Sequence, residues 1–186
     1  ANETEGAWTV TSAFGRFQTG SNFNDSEERF TAGRNGLGCK AVSVFGTRFT
    51  VEVTNAAAKK VFTQTWRDNM SVVEAPRMKA HQRKTNETTV TWTPDHAKLG
   101  NTPEVFPQVV MSLARHASLC APDHVKVSLN GETLKLTKPE HFTRDLGGVT
   151  PFASDTVTDA SGRMRLRLCV AATDGPPRTY AFVNAT

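Results

Sequence analysis

The residues best suited to chemistry are Gly33-Arg34-Asn35-Gly36-Leu37-Gly38-Cys39-Lys40. Three glycines let a backbone approach a ligand closely and adopt positive φ. A helix that opens directly from such a turn presents the free N–H groups of its first turn, and its dipole adds partial positive charge. Lys40 would add a full charge, and a triphosphate is the ligand class that fits. Two familiar glycine motifs do not match. Walker A needs Gly-x4-Gly-Lys-Ser/Thr, whereas here Gly38 is followed by Cys39 and Lys40 by Ala41. The dinucleotide fingerprint needs a third glycine at position 41. On spacing alone, a tight helix-entry turn without a ligand is as good a reading.

The elements that must position this loop follow from the patterning. The apolar run after Gly36 predicts a helix to Phe45, stopped by Gly46. Residues 14–35 carry few apolar side chains and a polar stretch, Asn22–Arg29, and read as a long functional loop or lid. Phe49–Val53 alternates at period two and Val61–Trp66 reads as a second strand, so the two form a candidate hairpin around Ala57–Lys60. Thr88–Thr93 is a third strand, dense in β-branched residues and ended by Pro94-Asp95. Phe106, Val109, Val110, Leu113, Ala117 and Cys120 fall on one helical face within Glu104–Cys120, with Pro107 in the first turn and Ala121-Pro122 at the end. His116 on this helix reads as a partly exposed polar residue. Asn130-Gly131 between Val125–Leu129 and Glu132–Leu136 favours a type I′ hairpin.

Lys138-Pro139 breaks that pattern, and a domain border is expected there, giving 1–137 and 138–186. Residues 139–162 read as irregular. Arg163–Val170 alternates, with Met164, Leu166, Leu168 and Val170 on one face and Arg163, Arg165 and Arg167 on the other. Arg178–Val183 reads as a returning strand. The arginine row has the charge to touch DNA phosphate, but a strand that keeps its charges in water is the preferred reading. Strands and helices alternate in type, which points to an α+β or α/β domain.

Composition adds bounds. The chain has 186 residues, 38% of them hydrophobic, which suffices for a real core. A net charge of +4 is mildly basic and compatible with a polyanionic partner. No apolar run approaches the ~20 residues of a membrane span, so no membrane partner is expected. The three cysteines, Cys39, Cys120 and Cys169, form no CxxC pair, which makes a disulfide framework or zinc site a weak idea and a reducing compartment the better reading. The polar start, Ala1–Gly6, lacks the features of a signal peptide. Four N-x-[ST] sequons, at Asn2, Asn69, Asn86 and Asn184, are read as accidental in a chain rich in Asn and Thr.

A set of segments changes the balance for the glycine loop. Gly33–Lys40 resembles the second glycine box of the GHKL ATPases, in wording close to eukaryotic-type DNA topoisomerase II. Thr19-Gly20-Ser21-Asn22-Phe23-Asn24-Asp25 is similar to that family's Thr-x-Ser-Asn-aromatic-x-Asp segment. Gln64-Thr65-Trp66-Arg67-Asp68-Asn69-Met70 resembles its Gln-x-Trp-x-x-Asn-Met. Thr88–Asp95, Val125–Leu134 and Phe182-Val183-Asn184 resemble three further segments, all in the family's order over nearly the whole chain.

The resemblance implies an α+β fold: part of a GHKL (Bergerat-type) ATPase α/β sandwich, followed by the first part of an α/β transducer domain. It implies ATP as ligand. Gly20, Ser21 and Asn22 would contact ribose and phosphates from the lid side. Gly33, Arg34, Asn35, Gly36, Leu37, Gly38, Cys39 and Lys40 would wrap the triphosphate, and Thr88 would stand on the strand that backs the adenine. The family's Mg2+-holding asparagine, its water-activating glutamate and its Asp-x-Gly-x-Gly adenine box have no match in the 186 residues, so the Mg2+ ligand is expected outside this fragment. In the whole protein the resemblance implies a homodimer that closes on ATP, traps duplex DNA and is reset by hydrolysis. It also implies nuclear localisation, with mitochondrial as the alternative, and a fragment that is inactive alone. Gly20 and Cys39 replace a common serine and alanine, and Ala13, Arg16 and Gln18 depart from an apolar pattern, as in a divergent member. Other readings are a chaperone-like, MutL-like or histidine-kinase member of the same superfamily, which the Ser-Asn and Gln-x-Trp segments oppose, a non-enzymatic binding domain, or a secreted glycoprotein.

Overall fold

The structure is a computed structural model, and it describes residues 9–20, 23–24, 33, 35–122, 124–136, 138–145, 149–160 and 165–182. The chain divides into two compact units, 1–103 and 104–186.

In the first unit, α1 (Thr9–Gly15) and α2 (Gly38–Val44) precede β1 (Gly46–Asn55), β2 (Lys60–Arg67), β3 (Val72–Val73), β4 (Arg77–Ala80), β5 (Glu87–Pro94) and the single turn α3 (His96–Leu99). All strand pairs are antiparallel, in the order β3-β2-β1-β5, with β4 also on the outer edge of β2. The β1–β2 hairpin and the third strand thus stand where the alternation placed them. β1 pairs Phe49 with Trp66 and Trp92, and Val51 with Gln64 and Val90. Directly opposed residues share a face, so these side chains line one side of the sheet. Phe49, Val51 and Trp66 are its buried core, with Val10 and Phe14 of α1 packed on them. Burying roughly 200 Å² of a tryptophan at about 25 cal/mol/Å² stabilises the fold by ~5 kcal/mol before entropy. Thr11 fixes α1 across the sheet by donating to Gln64 Oε1 (2.6 Å), while Gln64 Nε2 donates to the Glu74 carbonyl (3.1 Å).

The second unit holds α4 (Phe106–Cys120), the short hairpin β6 (Ser128–Leu129) and β7 (Glu132–Thr133), α5 (Pro139–Asp145), and the antiparallel pair β8 (Val149–Thr158) and β9 (Arg165–Ala172). Asn130 and Gly131 both have positive φ, 52° and 85°, as a type I′ turn requires. Among the described residues no helix is long and apolar enough to cross a membrane.

The break in packing falls at Pro103/Glu104 because α4 makes its ties downstream. Ser118 Oγ donates to the Leu134 carbonyl (3.4 Å), Arg167 donates to the Leu119 carbonyl (3.1 Å), and His116 meets Phe142 edge-on with centroids 5.6 Å apart. Four expectations are corrected here. The face of α4 that packs is rotated from the predicted one: Ser118 and Leu119 are buried, while Val109 and Leu113 are exposed. On β9 the polarity is inverted, with Leu166, Leu168 and Val170 exposed and Arg167 turned inward to its carbonyl. Finally, 139–162 is not irregular, since α5 and β8 lie there, and β9 takes β8 as its partner. The predicted strand at 178–183 is, over its described residues, a segment without regular structure, and Tyr180 and Phe182 pack instead on the buried Phe142 (centroids 5.6 Å in each case).

Candidate functional site

The glycine loop opens α2, as its spacing predicts. Leu37 is the N-cap and has no side-chain cap, and the helix ends at Val44 with Phe45 as C-cap. The N–H groups of the first turn have no intrahelical acceptor by geometry. A Cβ added at Gly33 or Gly38 would meet nothing within 4 Å, so the backbone there is open to an approaching group. Gly36 is different. Its φ is +59°, and a Cβ would lie 2.8 Å from the Gly20 nitrogen and 3.0–3.1 Å from Thr19 backbone atoms. Only glycine fits this close crossing of two loop strands.

Lys40 closes the crossing. Its side chain is 1% exposed, and Nζ donates to Thr19 Oγ1 (2.9 Å) and to the Gly36 carbonyl (2.7 Å). Thr19 Oγ1 in turn lies 3.1 Å from the Ser12 carbonyl and 3.0 Å from the Arg16 carbonyl, at the end of α1. Cys39 Sγ donates to the Ala13 carbonyl (3.5 Å). One ammonium therefore ties the end of α1, the segment at Thr19-Gly20 and the glycine loop into one body. An ammonium this buried costs several kcal/mol in desolvation, and two neutral oxygens compensate it only in part. An anion nearby would complete the compensation.

The structure thus brings Gly20, Gly36, Cys39 and Lys40 together, with Leu37 and Gly38 at the helix opening and Gly33 and Asn35 on the exposed approach. Ser21, Asn22 and Arg34 lie outside the described residues. Thr88 is exposed and pairs with Val53, so it shares the face of the core, but it sits toward the far end of β5 from Pro94, which pairs with Gly46 next to α2.

Reading the sequence for ligand contacts missed what the strand-end motif does. Asp68, Asn69 and Met70 all have positive φ, between 51° and 68°, a costly run for residues with a Cβ. The turn is held by Asp68 N–H to the Thr47 carbonyl and Asn69 N–H to the Gly46 carbonyl, both 3.0 Å. Asn69 Nδ2 points at the Val44 carbonyl (2.9 Å), the Gly46 carbonyl (3.3 Å) and Asp95 Oδ2 (3.1 Å). Asp95 Oδ1 accepts the Lys98 N–H as the N-cap of α3. That backbone bond first, and the Asn69 amide second, hold the Asp95 carboxyl below its ordinary value. The motif is a knot that fixes where α2 hands over to β1. Gly46 belongs to it, since a Cβ there would lie 2.3 Å from Trp92 Nε1.

No family model matches the chain. Relatives and solved structures do. DNA topoisomerase 2 of Bombyx mori is 39% identical over 136 residues, 72% of this chain and 9% of the relative. DNA topoisomerase 2 of Penicillium chrysogenum is 31% identical over 180 residues, 92% of this chain and 11% of the relative. The crystal structure of the ATPase and transducer domains of DNA topoisomerase II from Balamuthia mandrillaris superposes with a TM-score of 0.83 at 31% identity, covering 98% of this chain and 46% of that one. The fold is therefore mixed α and β and corresponds to a fragment of a GHKL-type ATPase and transducer region. The chain belongs to the DNA topoisomerase II family and matches a fragment of its N-terminal region. It spans about a tenth of the length of the curated relatives and under half of the solved ATPase and transducer structure.

Proposed function

We propose that this chain is the phosphate-holding part of the ATP site of a DNA topoisomerase II. The observation that supports it most is the match over 98% of the chain to a solved topoisomerase II ATPase and transducer region. The local chemistry agrees: an open, glycine-lined helix start beside a buried ammonium whose partners among the described residues are two neutral oxygens. Gly20, Ser21 and Asn22 would contact the nucleotide from the lid side, Gly33–Lys40 would surround the triphosphate through backbone N–H groups, and Thr88 would back the adenine. Phosphoryl transfer needs little from the protein beyond positioning and electrostatic stabilisation, and these residues supply positioning.

Among the described residues no group of three or more His, Cys, Asp or Glu stands ready for a metal ion. In this proposal the Mg2+ ion is held by residues outside the fragment, as is the group that activates water. In the whole protein, ATP binding would close two copies into a dimer and drive the passage of one DNA duplex through another. The border between ATPase and transducer parts is proposed at 137/138, distinct from the break in packing at Pro103, and the protein is proposed to work in the nucleus, with the mitochondrion as the alternative. Titration of a non-hydrolysable ATP analogue into the whole protein tests the site. Lys40→Met should weaken binding by about tenfold or more, the loss of one charge-assisted phosphate contact, while Lys59→Gln should leave it unchanged. Equal affinities in all three proteins would remove Lys40 from the site.

A further inference from the structure

The chain's excess positive charge is gathered at one end of the sheet. The β1–β2 turn and the loop from β4 to β5 lie side by side there. The His81 N–H donates to the Lys59 carbonyl (2.8 Å), and the Ala56 N–H donates to Asn86 Oδ1 (2.9 Å). Between them is a cavity of about 630 Å³ whose polar lining is Lys59, Gln82, Arg83, Lys84 and Asn86. The Asn86 oxygen is occupied by Ala56, so the amide NH2 is the end left to donate. Lys60 on β2 and Lys79 on β4 extend this corner around the edge of the sheet, one on each face since Lys60 opposes Ala80 and Lys79 opposes Val61, each exposed.

Against these five cations stand two carboxylates, Glu52 and Glu87, both engaged by Arg83 at 3.8 and 2.6 Å. The corner therefore carries a net +3 of the chain's formal +4. No acidic residue occurs between Glu74 and Glu87, and among the described residues no carboxylate pairs with Lys59, Lys60, Lys79 or Lys84. Lys59 also sits at φ +51°, where glycine or asparagine would be cheaper. Cations crowded together repel one another, and a polyanion relieves that repulsion.

We propose that this corner is a docking surface for the phosphate backbone of duplex DNA, separate from the nucleotide-holding loop. The cavity has donors but no aromatic ring among its lining residues. That favours phosphate contact over the base stacking by which single strands are held. The choice of duplex DNA as the polyanion rests on the topoisomerase reading above.

The test is the salt dependence of binding of the whole protein to a fluorescent duplex of arbitrary sequence, without nucleotide. The variant Lys59→Gln/Lys60→Gln/Lys84→Gln is compared with wild type and with the control Lys126→Gln/Lys135→Gln. A second variant, Lys60→Gln/Lys79→Gln/Lys84→Gln, leaves the strained turn at Lys59 untouched. Both triple variants should lower the slope of log K against log salt by roughly 0.9 per lost phosphate contact, about 2–3 in all, with about a tenfold loss of affinity at low salt. Wild-type slopes in both variants, with wild-type melting temperatures, would overturn the proposal. So would loss of binding to polyglutamate or to anionic vesicles while the duplex slope stays intact. ATP-analogue affinity measured on the same samples keeps the two readings apart. Its absence in wild type would count against the nucleotide site, whereas a wild-type DNA slope in the variants counts against this surface alone.

Discussion

Lys40 is the residue on which fold and site meet, and its removal has a calculable effect. Lys40→Met keeps most of the buried stem and deletes the ammonium with its bonds to Thr19 Oγ1 and the Gly36 carbonyl. Each bond to a charged group contributes about 1.5–3 kcal/mol, but the desolvation cost of the ammonium, several kcal/mol, disappears with it. What remains is the orphaned Gly36 carbonyl and the lost tie to α1, about 1–3 kcal/mol. At about 2–4 °C per kcal/mol for a chain of this size, melting should fall by roughly 2–12 °C. Thr19→Val is the informative partner. It leaves the ammonium buried with one acceptor in place of two, so it should cost at least as much as Lys40→Met. In the Lys40→Met background the same change should cost far less, with a coupling of about 1–2 kcal/mol. Hydrogen exchange of the Ala41–Phe45 amides, read beside thermal melting, reports the opening of α2 directly. Additive effects of the two substitutions would show that the bond carries no energy and that the crossing is held by backbone packing alone.

Gly46→Ala should displace the Trp92 ring, since a Cβ would fall 2.3 Å from Nε1. Overpacking of this kind costs about 1–3 kcal/mol, and a shift in Trp fluorescence with lowered melting would report it. Trp66→Ala should cost about 3–5 kcal/mol, because the ring is 1% exposed and packs on Phe49 with centroids 5.9 Å apart; denaturant titration measures it. The Asp95 carboxyl is held below its ordinary value, so its contribution is present above the unfolded-state carboxyl range and is lost as pH falls through the folded value. Acid titration of stability should therefore show a steeper loss below about pH 4 in wild type than in Asp95→Asn. Burial pushes the Cys120 thiol above its ordinary value, with Arg167 opposing, so alkylation of Cys120 at neutral pH should be slower than that of a free cysteine.

The sequence was most legible where a local rule acts alone. Gly36 to Gly46 gave the helix because glycine spacing and an apolar run set both ends. Phe49–Val53 gave a strand because its alternation puts Phe49 and Val51 in the core, and Val61–Trp66 gave the second as a short run rich in β-branched and aromatic residues, buried on both faces. Asn130-Gly131 gave the turn because both residues need positive φ. The failures lie where tertiary partners decide. α1 (Thr-Val-Thr-Ser-Ala-Phe-Gly) has weak helix formers and is held by Thr11 to Gln64 and by Phe14 near Phe49, with ring centroids 6.3 Å apart. β4 (Arg-Met-Lys-Ala) is exposed at every position and exists as a partner of β2. On β9 the alternation was visible, but nothing local says which face turns inward, and Arg167 found a carbonyl 48 residues away. At the site, the glycines and Lys40 were legible, but the ammonium's partners were not, because Thr19 lies 21 residues from Lys40 in sequence. The Asn69 knot was visible only as a motif. Its three acceptors come from α2, β1 and the cap of α3.

The most direct measurement is photo-crosslinking of the whole protein with an ATP analogue that carries its reactive group on the terminal phosphate, followed by peptide mapping. The account predicts label in the peptide containing Gly33–Lys40, suppressed by excess ATP and reduced in Lys40→Met. Label confined to other peptides, with Gly33–Lys40 unmodified while ATP still competes, would contradict it.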